Sequence, residues 1–112
     1  LSKVGIQFTE ACSGYEALQQ TRSGLFDLVL MDIQMPDISG TEVAKRLREE
    51  LASVPVLIAA TAHAFPEQRE AIFEAGFSDL LVKPIGMDDL RRVLTQAYLG
   101  SYNERKISVN HG

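Results

Sequence analysis

Three polar side chains stand at the ends of apolar runs, and together they could handle a phosphoryl group. Leu28-Val29-Leu30-Met31 runs into Asp32, Val56-Leu57-Ile58-Ala59-Ala60 into Thr61, and Leu80-Leu81-Val82 into Lys83. An ionised carboxylate avoids apolar surroundings unless something pairs with it or binds it. A carboxylate can also act as a nucleophile and form an acyl phosphate. Phosphoryl transfer asks for positioning and positive charge around the equatorial oxygens more than for covalent help. Lys83 could pair with one of those oxygens and the Thr61 hydroxyl could donate to another. A magnesium ion could bridge carboxylate and phosphoryl oxygens. Polar residues at strand ends are common in α/β domains, so the trio has meaning only if the three converge.

Convergence requires the runs to be neighbouring strands, and the chain is punctuated accordingly. Residues 4–11, VGIQFTEA, read as a short strand. Ser13 and Glu16 then form an S-x-x-E capping box opening a helix to about Thr21, with Gly24 placed to end it. Residues 26–32 are a continuous apolar strand of the kind buried on both faces. Ser39 and Glu42 repeat the capping box before a helix on which Val43, Leu47 and Leu51 share a face. A second apolar strand covers 54–61, and Pro66 opens a helix that Gly76 stops. A third apolar strand covers 78–84, and 87–99 form a last amphipathic helix with Asp88 and Asp89 at its start. The order βαβαβαβα predicts an α/β fold, a doubly wound parallel sheet covered on both faces. In such sheets ligands sit at the carboxyl ends of the strands, near a reversal of strand order.

Bulk properties set the class. The 112 residues suffice for one domain, and 46% hydrophobic with 23% charged is ordinary for a globular chain. A net charge of −4 without any block of Lys or Arg argues against direct nucleic-acid binding. One cysteine, Cys12, excludes an internal disulfide and fits a reducing compartment; by itself it reads as a small packing or surface residue. No apolar run has the length of a membrane span, and the start LSKVGIQF lacks the secretory pattern. A cytoplasmic location is expected.

The phrases DLVLMDIQMPDISG, AATAHA and LLVKPI, in that order, resemble the response-regulator receiver domain of two-component signalling. EACSGYEAL and EAGFSDLLVKP fit the same family, and the likeness runs from the first residues to about Leu99. The wording around Asp32 and Thr61 is most similar to receivers of hybrid sensor kinases and phosphorelays. The resemblance implies a flavodoxin-like (βα)5 fold, with residues 1–100 as the receiver and 101–112 as a tail or linker. It implies that Asp32 accepts a phosphoryl group from the histidine of a kinase or phosphotransfer domain. Thr61 would move toward the phosphate, Lys83 would pair with it, and a cis bond would join Lys83 to Pro84. Magnesium would be held by Asp32 and the backbone carbonyl of Gln34.

Two departures stand out. The family's first strand, which ends in an acidic pair that holds magnesium, has no counterpart before Val4. One strand-helix unit of the (βα)5 fold is therefore lacking here, and the metal site loses two carboxylates. That strand is central in the family's order 2-1-3-4-5, so the strand at 4–11 is expected to lack a neighbour for its backbone groups. A longer parent chain, a domain-swapped second copy, or a strand formed by Lys106-Ile107-Ser108-Val109 could fill the gap. Second, Leu80 occupies the position three before the lysine where receivers often carry Tyr or Phe, which removes the usual aromatic readout.

Other candidates have plainer readings. Asp37 reads as a loop residue, with a place near the metal as the alternative. Asp88 and Asp89 read as helix-start acids, and His63 as an exposed loop residue that could line the site. His111 has no second ligand spaced with it. Met31, Met35 and Met87 read as packing; Phe65, Phe73 and Phe77 read as packing or a partner-docking surface. The rival functions are a pseudo-receiver that binds partners without phosphorylation, and a phosphohydrolase working through an aspartyl phosphate. Such hydrolases usually carry a second Asp two residues after the nucleophile, where this chain has Gln34.

Overall fold

Along the central strands, Val29, Met31, Leu57, Ala59 and Leu80 alternate with Leu28, Leu30, Ile58, Ala60 and Leu81, and both sets are buried. Strands that bury both faces need helices on both sides. The structure, a computed structural model, describes residues 7–51 and 53–100. It contains β1 (Phe8–Ala11), α1 (Gly14–Arg22), β2 (Leu28–Asp32), α2 (Gly40–Glu50), β3 (Val56–Thr61), α3 (Pro66–Ala75), β4 (Asp79–Val82) and α4 (Met87–Leu99). The first set packs against Ala17 and Leu18 of α1, Val43, Ala44 and Leu47 of α2, and Ile72 and Ala75 of α3. The second set packs against Val93 of α4, flanked by Leu90, Leu94 and Ala97. Three helices thus share one face of the sheet and α4 covers the other, a flavodoxin-like α/β arrangement.

The sheet is wholly parallel, in the order β1-β2-β3-β4. Strand order does not reverse among the described strands, so the strand ends alone mark the site. The expectation that the first strand lacks a neighbour is corrected here. β1 pairs directly with β2, from Phe8 opposite Leu28 to Ala11 opposite Met31. Backbone donors and acceptors seek partners, and direct pairing satisfies them without an intervening strand. The pairing extends back to Gln7, whose carbonyl accepts from the Asp27 and Leu28 amides at 2.6 and 3.2 Å. Residues 4–6, the tail segment 106–109 and His111 lie outside the described residues.

The two faces are separately testable. Ile58 is fully buried and belongs to the α4 face. Ile58→Ala removes its packing and leaves a cavity, so we expect a loss of about 2–5 kcal/mol. Urea unfolding checks this, with an unchanged dependence on urea concentration showing that the folded state stays compact.

Candidate functional site

The register of the sheet brings the predicted residues to one end. Asp32 is paired with Ala60, and Thr61 with Val82. The ladder continues past the strands: Ile33 N–H donates to the Ala60 carbonyl at 3.0 Å and Lys83 N–H to the Thr61 carbonyl at 2.8 Å. These bonds fix the exits of β2, β3 and β4 side by side. The Lys83–Pro84 peptide is cis.

Asp32 and Lys83 meet directly. Nζ of Lys83 lies 2.5 Å from Oδ1 of Asp32, with side chains 45% and 19% exposed respectively. A pair this open contributes little to stability. Its consequence is local, a cation fixed against the carboxylate that answers why an acid can leave the end of a buried strand.

Thr61 is placed beside this pair but engaged elsewhere. It is buried, its hydroxyl donates to the His63 carbonyl at 2.8 Å, and the His63 N–H donates back to Oγ1 at 3.2 Å. The exposed His63 ring stacks on Phe65, with centroids 5.6 Å apart and planes 11° from parallel. Leu80, at the position where an aromatic readout would sit, is a buried member of the core shared by α1, α2 and α3.

The loop after Asp32 is tightly drawn. Gly40 N–H donates to the Ile33 carbonyl at 2.8 Å. A Cβ on Gly40 would stand 2.7 Å from the Asp32 carbonyl oxygen and 3.1 Å from the Ile33 Cα, so only glycine lets α2 begin this close to Asp32. Gln34, on the same loop, is exposed.

Two neighbours escaped sequence reasoning. Asp37, read from the sequence as a loop residue or a neighbour of the metal, accepts from the backbone of Gly14, Tyr15 and Ile38 at 2.8, 3.0 and 2.9 Å. These donors, Gly14 first, lower its carboxyl from an ordinary 3.8 to about 2. Because the folded value is depressed, these bonds contribute stability that is complete above about pH 4 and lost as pH falls through about 2. The shortfall of Asp37→Asn relative to wild type, followed by urea midpoints, should therefore shrink over that acid range. Cys12 is exposed just beyond β1, and its thiol is pushed up by desolvation, then by Glu10, Asp32 and Glu16. Applied to β1 as well, the strand-end rule would have flagged Cys12.

The remaining candidates sort simply. Asp88 and Asp89 lie in the first turn of α4, as expected, with Asp88 3.4 Å from Arg91. Met31 and Phe77 are buried, while Met87, Phe65 and Phe73 are exposed, which corrects the packing role expected of Met87. Among the described residues no group of three or more His, Cys, Asp or Glu is placed to hold a metal ion. Asp32 supplies one carboxylate at the strand ends. That meets the small protein share that magnesium takes when phosphate oxygens and water complete its shell.

Comparison with known proteins agrees with this geometry. The profile of the response regulator receiver domain matches residues 1–95. The chain is 40% identical over 99 residues to the signal transduction histidine-protein kinase BarA of Escherichia coli, covering 86% of this chain and 11% of that protein. It is 35% identical over 98 residues to the sensor histidine kinase GacS of Pseudomonas protegens, covering 84% of this chain and 11% of the relative. It therefore spans about a tenth of the length of these kinases. Among solved structures, a putative response regulator from Chloroflexus aurantiacus superposes with a TM-score of 0.69 at 33% identity, over 80% of this chain and 74% of that one. The receiver domain of the Francisella response regulator 1452 gives 0.72 at 27% identity, over 83% and 76%. A profile match over most of the chain, a shared fold and an acid-lysine pair at the expected strand ends lead to one conclusion: this chain belongs to the response regulator receiver domain family.

Proposed function

We propose that this domain takes a phosphoryl group from a phosphohistidine onto Asp32, as one step of a phosphorelay. The observation that carries the reading is the 2.5 Å contact between Lys83 Nζ and Asp32 Oδ1 at adjoining strand ends. A carboxylate oxygen of Asp32 attacks phosphorus, the P–N bond to the donor imidazole breaks, and that nitrogen leaves with the bonding pair. Lys83 is already in place to pair with a phosphoryl oxygen as charge gathers there. The Thr61 hydroxyl turns from the His63 carbonyl to donate to another. Magnesium, held by Asp32 and the Gln34 carbonyl, would supply further neutralisation of the phosphoryl charge.

The partner is a histidine kinase or histidine phosphotransfer domain, and the named kinases among the relatives support a parent chain of the hybrid type. A cytoplasmic location accords with such a partner. No described helix is long and apolar enough to cross a membrane. The domain is an acceptor and not a turnover enzyme, since Gln34 stands where a phosphohydrolase would carry its second Asp. We take residues 1–100 as the receiver unit and 101–112 as a tail.

Intact mass spectrometry before and after incubation with acetyl phosphate and magnesium tests the reading. One added phosphoryl group, removed by hydroxylamine as an acyl phosphate should be, is the expected result. The lack of a three-acid cluster among the described residues favours one rival, a pseudo-receiver that docks partners without phosphorylation. No mass gain together with retained binding to a phosphotransfer domain would establish that rival instead.

A further inference from the structure

We infer that Asp37, outside the set of Asp32, Thr61 and Lys83, is a positioning residue that locks the acceptor loop onto the first turn of α1. The inference rests on the reading of Asp32 as phosphoacceptor. It starts from the free N–H groups that open every helix. In α1, Ser13 Oγ takes the Glu16 N–H, while the Gly14 and Tyr15 N–H groups go to Asp37, 23 and 22 residues away. Oδ1 accepts from Gly14 and Ile38, and Oδ2 accepts from Tyr15. Bonds to an ionised acceptor are roughly twice as strong as neutral ones.

The contact is also close in a way that only one residue type permits. A Cβ on Gly14 would collide with Cγ1 of Ile38 and lie 3.2 Å from Oδ1 of Asp37. Loop 33–39 is therefore tied by hydrogen bonds near both of its ends. Gly40 anchors it at Ile33 beneath the acceptor, and the contact with α1 anchors it at 37–38. Gln34, Met35 and Pro36 lie between these ties, with Met35 packed against the core. Losing one anchor frees the stretch that carries the Gln34 carbonyl, and reactive geometry tolerates errors well below an ångström.

The test compares wild type, Asp37→Ala, Asp37→Asn and Gly14→Ala in the full chain. Amide hydrogen exchange is read at Gly14, Tyr15 and Gly40, and phosphoryl uptake is read over a range of acetyl phosphate concentrations with magnesium. In Asp37→Ala, we expect exchange about tenfold faster or more at Gly14 and Tyr15, and faster exchange at Gly40, whose own partner is untouched. The limiting uptake rate should fall about tenfold or more with unchanged half-saturation by the donor. Asp37→Asn, which keeps the Oδ1 bonds, should fall between, and Gly14→Ala should match Asp37→Ala from the other side of the contact. Faster exchange confined to Gly14 and Tyr15, with Gly40 and uptake as in wild type, would reduce Asp37 to a helix cap and overturn the inference. If wild type takes no phosphoryl group, the proposed function fails on its own, and the exchange at Gly40 still decides the clamp. Should Asp37→Ala not fold, Asp37→Asn and Gly14→Ala decide the clamp by the same two readouts.

Discussion

Asp32→Asn is expected to take up no phosphoryl group from acetyl phosphate or from a phosphohistidine donor, to the detection limit of intact mass spectrometry. The substitution keeps the shape of the side chain and removes its nucleophilic carboxylate, so no acyl phosphate can form. The fold should survive, because the lost ion pair is partly open to solvent and surface pairs contribute about 0–1 kcal/mol. Thermal unfolding within a few degrees of wild type would confirm that chemistry alone was lost. Uptake persisting in the variant would move the acceptor to another side chain and break the proposed function.

Lys83→Ala should lower the rate of uptake about 10²–10³-fold, the usual cost of removing one preorganised group that stabilises developing charge. Asp32 remains, and the backbone of residue 83 keeps its bond to the Thr61 carbonyl, so the strand exit is undisturbed. The loss is therefore electrostatic in origin. Lys83→Arg should recover only part of it, since a planar fork cannot occupy the place of a compact ammonium 2.5 Å from Oδ1. Initial rates at several salt concentrations give a second handle. An exposed cation is screened, so the wild-type advantage should narrow as salt rises. A Lys83→Ala chain as fast as wild type would leave the ion pair without a role in transfer.

Much of this was legible residue by residue. The apolar runs ending in Asp32 and Thr61 became β2 and β3, because strands buried on both faces leave a continuous apolar trace. Ser13 and Ser39 cap α1 and α2 as their spacing promised. Even there the structure adds detail. Glu16 reaches back to the Cys12 N–H, while Glu42 turns to Arg46 instead. What sequence reasoning missed shares one cause. The pairing of β1 with β2 and the grip of Asp37 on α1 are contacts between distant segments. Such contacts leave no period in the chain. The Thr61 hydroxyl, expected to serve a phosphoryl oxygen, donates to the His63 carbonyl, a local acceptor two residues on.

That resting bond has a thermodynamic consequence. To reach a phosphoryl oxygen, Thr61 must exchange one hydrogen bond for another and does not simply gain one. A neutral bond contributes about 1 kcal/mol and one to a charged acceptor about 1.5–3 kcal/mol, so the exchange favours the turned loop by only about 0.5–2 kcal/mol. One kcal/mol is roughly a fivefold change in the ratio of two states. Amide shifts of His63, followed as phosphoryl occupancy rises, would report that ratio. Its signal would then be graded, a redistribution between two loop populations set by how much of the domain carries phosphate.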